Sequence, residues 1–515
     1  MRALLRTNPS ERPGESEQTG ELARVPAEGT LEESGPRTGI VHPGNQYQRS
    51  HPQAQFQPQS QSHAQPQLQT QPQSPSQAPK VRSVLDLALR LGELLLASGE
   101  AAEDIEAGML AVVYGYGLVR CDVNVTFTML TIAYQATLAE PAWTASRGVR
   151  QRSSDYTRLA AVHDLVREIS EGEVTAEEAY RRRLEIRRRR HPYPNRLIAA
   201  MTALLAGAAS VLVGGSWLVF LSACAAALLG NLLASGLARR GLPEFYQYVV
   251  AAMPAATAGI ALDLAHADVR ASAVITGGLF ALLPGRALAA AVQDGLTAFY
   301  ITSAARLIIG LSSIVVGITC GISVVLRAGI AFGIDLNPAD NLVTPDRPWL
   351  QTLAAAVLGL SFAIILQVRR RLLGYAVLSA ALAWICDAGL LKAGADPAIA
   401  VAVTSALLGL GGQLIARRHA TSGLPFTVPG LVALLPGSQT YIGVLFIVRG
   451  QTGLGAAHLF TAASTGLGLG VGVNLGGELA RLLLPARPGQ VHRIRPGFVR
   501  GRPGLAARRR PAGKV

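Results

Sequence analysis

The chain has 515 residues and a formal net charge of +14, because 47 lysines and arginines stand against 33 aspartates and glutamates. Half of its residues are hydrophobic and 16% are charged, whereas soluble domains carry about 25% charged residues. This composition argues against a water-soluble enzyme that occupies the whole chain. The four cysteines are far apart and show no metal-ligand spacing, so neither a zinc module nor a disulfide scaffold is expected.

Residues 1–82 form a polar leader that ends in a tract rich in glutamine, proline and serine. We expect this leader to be disordered, because it has almost no apolar surface to bury. The basic tail at 485–515 is likewise predicted to be disordered.

Residues 83–190 are predicted to form a small soluble α+β domain. Apolar residues at helical spacing indicate two helices between 83 and 117, with Ser98 as the N-cap of the second. The β-branched stretch at 118–135 indicates one or two strands, and amphipathic helices follow it. We interpret the domain as a regulatory or gating element.

From Leu197 to Leu484 the chain is predominantly apolar, and ten segments are candidate membrane spans. Most are long enough to cross a hydrocarbon layer of about 30 Å, but the fourth and ninth are too short. The first five spans lie at about 197–214, 216–238, 244–265, 271–284 and 302–326. The second five lie at about 350–368, 372–391, 396–416, 425–436 and 454–482. The predicted fold is therefore a polytopic α-helical membrane protein with five helices in 197–326 and five in 350–484.

Basic residues predict the orientation of these spans. Runs of arginine lie beside spans one, two, six and eight, and the tail carries nine basic residues and no acid. Ten crossings place all of these segments on one side, opposite the acidic loop 327–349. Since basic loops stay in the cytoplasm, we expect a multi-pass protein of the bacterial plasma membrane with both termini and the soluble domain in the cytoplasm.

The two short spans carry the same sequence, Ala-Leu-Leu-Pro-Gly, at 281–285 and 433–437, and each has a glycine shortly before it, Gly278 and Gly430. Proline and glycine end helices, and a helix that ends inside the bilayer frees backbone groups that must face protein or water. Because each half has five spans, the second half runs in the opposite direction. This predicts an inverted repeat, with the first bend towards the cytoplasm and the second towards the outside. The alternative is that each motif caps an ordinary short helix.

In the order of these parts the sequence resembles the bacterial threonine/serine exporter family over about residues 83–484. The resemblance rests on the opening "LALRLGELLLASGEAAEDIEAGMLAV", the basic run before the first span and "LLPG" late in each half. It implies efflux of L-threonine and L-serine driven by the proton motive force. Paired small membrane proteins with the same two halves, implicated in dicarboxylate export, are similar in architecture.

A zwitterionic amino acid needs donors for its carboxylate and acceptors for its ammonium group, and broken helices supply both from the backbone. We therefore predict that the substrate is bound around the two bends, with help from the polar side chains that follow the second. The predicted substrate-binding residues are Gly278, Pro284, Gly285, Gly430, Pro436, Gly437, Gln439, Thr440 and Tyr441.

Proton coupling requires an ionisable group whose charge is costly to hold in lipid. Asp294, after the first bend, is the first candidate, and its alternative is an exposed acid on an interfacial helix. Asp387 in span seven is the second candidate and could instead pair with Lys392. Glu478 and Arg481 are expected to form an ordinary helical ion pair.

Two further functions stay open at this stage. A dicarboxylate exporter on the same scaffold would favour an arginine in the cavity, and Arg286 and Arg306 flank the right region. A membrane-anchored hydrolase could use Cys121 with His163, although a cysteine in a strand is usually a core residue. The sequence favours a secondary transporter without a cofactor or metal. Its expected partners are threonine or serine, protons and lipid, but not nucleic acid. A homo-oligomer is one of the expected possibilities.

Further expectations concern packing. Asn231, Gln351 and Asn474 are predicted to hydrogen-bond across helix interfaces. The run "GLGLGVGVNLGG" at 466–477 is predicted to permit close helix contact.

Overall fold

The computed structural model describes residues 77–149, 155–189, 191–265, 270–283, 285–333, 347–419 and 422–483. The leader and the tail, which are predicted to be disordered, lie outside these residues. So do the acids of the loop after span five and Pro284. We call residues 77–189 the N-terminal region and residues 195–483 the apolar region.

The N-terminal region combines four helices with a small antiparallel sheet. Its helices are α1 (Gln77–Ala97), α2 (Ala102–Gly115), α3 (Tyr156–Ser170) and α4 (Ala176–Arg188). Its strands are β1 (Cys121–Val125), β2 (Met129–Tyr134) and β3 (Trp143–Gly148), in the order β1-β2-β3. The predicted stretch holds two strands, and the third was missed because Trp143–Gly148 is too polar to stand out. Helix α1 begins six residues before the predicted start at 83.

Every regular element among the described residues of the apolar region is a helix. Its first half contains α5 (Asn195–Leu212), α6 (Trp217–Arg239), α7 (Glu244–Leu264), α8 (Ala271–Phe280), α9 (Gly285–Leu296), α10 (Tyr300–Ala305), a π-helical turn (Arg306–Leu311) and α11 (Ser312–Ala331). Its second half contains α12 (Pro348–Ile365), a 3-10 turn (Arg370–Leu372), α13 (Leu373–Lys392), α14 (Pro397–His419), α15 (Leu424–Leu431), a 3-10 turn (Val432–Leu434), α16 (Gly437–Val448) and α17 (Thr452–Leu483).

Within the described residues, seven helices are long and apolar enough to cross a membrane. They are α5, α6, α7, α12, α13 with the turn before it, α14 and α17. An eighth crossing results if α15 and α16, which meet at an angle of 41°, count as one bent span. The chain is thus a polytopic helical protein, while the predicted ten crossings stay a prediction.

The two halves repeat each other in helix length. Helix α12 begins 153 residues after α5 (348 − 195 = 153), and both have 18 residues. Helices α9 and α16 both have 12 residues and begin 152 residues apart (437 − 285 = 152). The helical stretch Tyr300–Ala331 likewise precedes α17 by 152 residues (452 − 300 = 152) and ends the same distance before it. Equal lengths at an interval of 152 or 153 residues are typical of an internal repeat.

Backbone conformation repeats at the same interval. Gly241 and Gly394 both have a positive φ, as do Gly214 and its counterpart Gln367, and Ala298 and its counterpart Gly450. A positive φ is unusual for residues other than glycine. Gln367 and Ala298 therefore adopt a conformation for which the other half uses glycine.

The first helices of the two halves pack together in opposite directions. Tyr193, just before α5, donates its backbone N–H to Gln367, just after α12, at 3.2 Å. At the far end, Gln351 near the start of α12 donates to the carbonyl of Leu212 at the end of α5. Helices α5 and α12 are thus antiparallel, and the prediction that Gln351 bonds across a helix interface is confirmed.

Glycines permit the closest helix contacts in both halves. In the second half, a Cβ on Gly472 or Gly476 of α17 would overlap a carbonyl oxygen of α14. In the first half, a Cβ on Gly321 of α11 would overlap the carbonyl of Val249 in α7. The predicted close packing of the glycine run is confirmed. Asn474 in that run instead donates to Gly470 of its own helix, so its predicted cross-helix bond was wrong.

One hydrophobic cluster joins the N-terminal region to the second half. It includes α1–α3 and the sheet together with Leu366, Val368, Ala416 and Phe426 from α12, α14, α15 and their loops. Burial of a shared apolar core is the main stabilising contribution to such docking. The N-terminal region is therefore packed onto the helices rather than linked to them by a tether.

Candidate functional site

The two proline-glycine bends lie in contact with each other. The ring of Phe280, at the end of α8, packs against Gly437, at the start of α16, where a Cβ would lie 2.6 Å from the Cδ2 atom of the ring. Residues 431–435 of the second bend belong to one buried cluster with Phe280, which Ala281 and Leu283 flank. The two bends are thus in contact, while their predicted placement towards opposite faces of the membrane stays a prediction.

The predicted backbone residues of the bends are closely packed. Gly278 lies against Ala255 of α7, and Gly430 lies against Leu408 of α14 and the hydroxyl of Ser379 in α13. Gly285 is the first residue of α9, and Pro436 directly precedes α16. Gly437 thus contacts the other bend directly, whereas Gly278 and Gly430 pack against α7, α13 and α14, and Pro284 lies outside the described residues.

The polar side chains after the second bend point in different directions. Gln439 contacts the Nδ1 atom of His458 in α17, with the Gln439 Oε1 atom at 2.8 Å. Thr440 donates to the carbonyl of Pro436 in its own helix. Tyr441 is fully buried in a cluster with α7, α8 and α11. These contacts hold the three side chains in the packing of α16, and their predicted role in substrate binding stays a prediction.

Asp294 is the most deeply buried acid of the first half. Its side chain is completely inaccessible, and its Oδ2 atom lies 3.1 Å from the Nε atom of Arg306. Its Oδ1 atom accepts the backbone N–H of Ala102 at 2.7 Å. The alternative of an exposed acid on an interfacial helix was wrong, because the N-terminal region covers this end of α9.

Asp294 caps helix α2 from a distance of 192 residues along the chain. The N-cap residue of α2 is Ala101, which has no side-chain acceptor, and the first turn needs acceptors for its free N–H groups. A carboxylate at this position satisfies a donor and interacts favourably with the helix dipole. Ser98 instead donates to the carbonyl of Leu94 at the end of α1, so its prediction as the N-cap was wrong.

Glu100 connects the same turn to three elements. Its carbonyl accepts from Arg306 at 2.9 Å, its carboxylate lies 2.7 Å from His163 of α3, and Ser422 before α15 donates to it at 3.4 Å. Burial, the largest single influence, lowers the pKa of His163, but the hydrogen bond and charge of Glu100, with Asp104 and Asp164, raise it overall. When His163 is protonated, it forms an ion pair with the buried carboxylate of Glu100.

Asp387 lies on the buried face of α13 and is 8% exposed. Its Oδ1 atom has no hydrogen-bond partner among the described residues. A buried, incompletely satisfied carboxylate is energetically costly. Its predicted role in coupling and its predicted pairing with Lys392 both stay predictions.

The residues of the hydrolase alternative are not brought together as a nucleophile and its base. His163 is bonded to Glu100, while the thiol of Cys121 donates to the carbonyl of Leu118. Burial raises the pKa of Cys121 to about 11, and a thiol rather than a thiolate is a poor nucleophile. Within the described residues, no group of three or more histidine, cysteine, aspartate or glutamate side chains could hold a metal ion.

A cavity of about 470 Å³ lies in the N-terminal region, away from the bends. It is lined by α3, α4 and Arg369, which pairs with Asp164 at 3.3 Å. None of its lining residues belongs to either bend or to the Asp294 contact. The predicted pair of Glu478 with Arg481 is confirmed at the end of α17.

Sequence reasoning missed the partners of Asp294. Ala102 contributes only a backbone N–H to Asp294, and Glu100 joins this contact through Arg306 and extends it to His163 and Ser422. Arg306 was noted only as a residue flanking the cavity. The sequence carries one signal for this contact, an acid-rich first turn of α2 without a polar N-cap, which requires an acceptor from elsewhere.

Two family models described as threonine/serine exporter match the chain, one over residues 86–329 and the other over residues 351–477. A protein of Mycobacterium tuberculosis described as a probable threonine/serine exporter is 34% identical over 443 residues, which cover 84% of this chain and 82% of the relative. A threonine/serine exporter of Corynebacterium glutamicum is 29% identical over 429 residues, which cover 78% of this chain and 84% of that protein. No solved structure matches the chain.

Proposed function

Because the chain belongs to the threonine/serine exporter family, we propose that it exports L-threonine and L-serine across a bacterial plasma membrane, driven by the proton motive force. It is a multi-pass membrane transporter rather than an enzyme. The observation that carries the finer proposal is the junction of the two bends, where broken helices from both halves meet.

The proposed pathway runs between two inverted repeats of five helices. Support comes from the constant interval between matching helices, from the antiparallel pair α5 and α12, and from the contact of the two bends. In such transporters the substrate site lies near the bilayer midplane, where broken helices expose backbone donors and acceptors. We assign the substrate to the backbone around Gly278, Gly285, Gly430 and Gly437, which becomes accessible when the bends separate.

The proposed orientation places the N-terminal region and both termini in the cytoplasm. The loop after α12 and the segment before α15 both contact the N-terminal region. Both segments adjoin arginine-rich sequences, Arg369–Arg371 and Arg417–Arg418, and such sequences remain cytoplasmic. The substrate then enters beside the N-terminal region and leaves at the opposite face.

Asp294 is the proposed coupling residue. It lies in a buried ion pair with Arg306 and caps α2, so a change in its charge acts on both contacts at once. Asp387 is a second candidate, since its buried carboxylate lacks one partner among the described residues. Neither the dicarboxylate nor the hydrolase alternative gains support, because Arg306 is engaged by Asp294 and Glu100, and Cys121 is a partly buried thiol with a raised pKa.

The proposal is tested with purified protein in liposomes loaded with labelled threonine. For protein inserted with its N-terminal region inside the liposome, we expect an inward-directed proton gradient to accelerate threonine efflux. Excess serine, but not succinate, is expected to compete with threonine. Efflux that ignores the gradient would contradict proton coupling. Competition by succinate alone would replace the amino-acid assignment with the dicarboxylate one.

A matched pair of variants tests the coupling residue. Asp294→Asn removes one buried negative charge at nearly constant shape and is expected to abolish the gradient dependence. Glu478→Gln makes the same kind of change at an exposed helical ion pair and is expected to leave it intact. Equal behaviour of the two variants would reject Asp294 as the coupling residue.

A further inference from the structure

The turn between α1 and α2, residues 98–102, contacts both halves of the apolar region. On the side of the first half, the N–H of Ala102 binds Asp294 of α9, and the carbonyl of Glu100 binds Arg306 of the π-helical turn. On the side of the second half, the carboxylate of Glu100 accepts from Ser422, two residues before α15. We call these residues the α1–α2 turn.

The α1–α2 turn lies at the ends of both broken helices. Helix α9 follows the first bend and carries Asp294 near its end, while α15 precedes the second bend and begins beside Ser422. Helices α9 and α15 also contact each other. Any movement that separates the two halves at this face must therefore break contacts of the turn with at least one of them.

Backbone strain is concentrated in the loops that hold the N-terminal region. Among the described residues, only Ala298 and Gln367 have a positive φ without being glycine. Ala298 lies in the break between α9 and α10, and Gln367 accepts a hydrogen bond from Thr157 of α3 at 2.6 Å. Strained residues persist where the surrounding contacts determine them, and they are frequent in segments that switch between two states.

We propose that the α1–α2 turn is a gate that closes the solute pathway at this face, held shut by Asp294 and Arg306. The proposal rests on the proposed function in one respect, since it assumes that the solute passes between the halves. Neutralising Asp294 removes its ion pair with Arg306 and weakens the cap on α2. The turn is then held to the first half less tightly, through the bond from Arg306 to the carbonyl of Glu100. The other titratable groups facing Asp294 are Asp104 of α2, and Glu100 with His163 behind the turn.

Cross-linking tests whether the turn must move. In full-length protein with the four native cysteines replaced, Asp104→Cys and Gln293→Cys are introduced, because these side chains lie 3.3 Å apart across α2 and α9. A short bifunctional thiosulfonate is expected to reduce threonine efflux at least tenfold, and a reductant to restore it. Cross-linked protein that retains normal efflux would overturn the gate.

A control pair confines the same chemistry to the N-terminal region. Glu93→Cys and Arg147→Cys join α1 to β3, two elements of the N-terminal region whose native side chains form an ion pair. Cross-linking this pair is expected to leave efflux unchanged. Inhibition by both cross-links would show that the reagent or internal stiffening causes the effect, and would remove the support for a gate.

A second measurement does not depend on transport. Ala101→Cys places a thiol at the buried N-cap of α2, and Ala88→Cys places one in the buried face of α1. Asp294→Asn is expected to raise the alkylation rate at position 101 at least fivefold while position 88 stays protected. An unchanged alkylation rate at position 101 would overturn the gate. If the parent protein shows no threonine efflux but the alkylation rate at position 101 rises, the proposed substrate is rejected and the gate is still supported.

Discussion

The two halves of the apolar region share a backbone plan but differ in chemistry at matching positions. Asp294 is the tenth residue of α9, and Phe446 is the tenth residue of α16. Arg306 and His458 are each the seventh residue of the long helical stretch that follows. The first pair forms a buried ion pair, whereas Phe446 and His458 stack with ring centroids 5.4 Å apart.

The two halves therefore differ in how the polar side chains at these matching positions are satisfied. The ion pair of the first half lies against the N-terminal region and caps α2. The ring stack of the second half, with Gln439 bonded to His458, needs no partner domain to be satisfied. One backbone plan therefore carries a buried ion pair beside the N-terminal region in the first half and a ring stack in the second.

Replacing the acid of the first half is expected to have the largest effect. Asp294→Ala leaves Arg306 as a buried charge without its carboxylate, which costs about 3–5 kcal/mol of stability. The matching change Phe446→Leu removes one ring stack worth about 0.5–1.5 kcal/mol. Thermal unfolding in detergent measures both variants, and a smaller drop in Tm for Asp294→Ala than for Phe446→Leu would contradict the comparison.

The contact between the bends is expected to give the next largest effect. Gly437→Ala places a Cβ against the ring of Phe280, and such overpacking costs about 1–3 kcal/mol. Adding Phe280→Leu should recover most of the loss in the Tm and in threonine efflux. Gly453→Ala, where a Cβ meets no atom within 4 Å, serves as the control. If Phe280→Leu does not restore the Tm of Gly437→Ala, the contact between the two bends would be contradicted.

Exchanging the residues at one matched loop position sharpens the comparison of backbones. Gly450 and Ala298 occupy equivalent positions with φ of 81° and 69°. Gly450→Ala should lower stability by about 1 kcal/mol, since this conformation is unfavourable for a residue with a Cβ. Ala298→Gly should raise it by a similar or smaller amount. Shifts of the Tm in the same direction for both variants would contradict the equivalence of the two loops.

The smallest expected effect concerns the pH dependence of the N-terminal contact. The pKa of His163 is raised above its ordinary value of 6.5, so its charged form stabilises the folded state. This contribution is fully present below pH 6.5 and is lost as the pH rises through the raised value. The difference in Tm between the native chain and His163→Gln should therefore shrink from pH 6 to pH 9. A difference that is constant over this range would disprove the charged pair with Glu100.

The sequence predicted much of the fold because its signals are local. Apolar runs predicted the long helices, and two copies of one five-residue motif predicted where each half breaks. The third strand was missed, since the polarity of Trp143–Gly148 gives no alternation, and it forms only by pairing with β2. The candidate site was predicted in part, because Asp294 and the bends were named but their partners were not.

What the sequence alone determined is the class of molecule: the length and apolarity of its helices, its repeat and its family follow from local composition and motifs. The tertiary structure decided which polar groups meet. Asp294 finds the N–H of Ala102 only because burial of a shared apolar core docks the N-terminal region against α9. A contact between residues 192 positions apart depends on the packing of many intervening helices, and no local pattern encodes it.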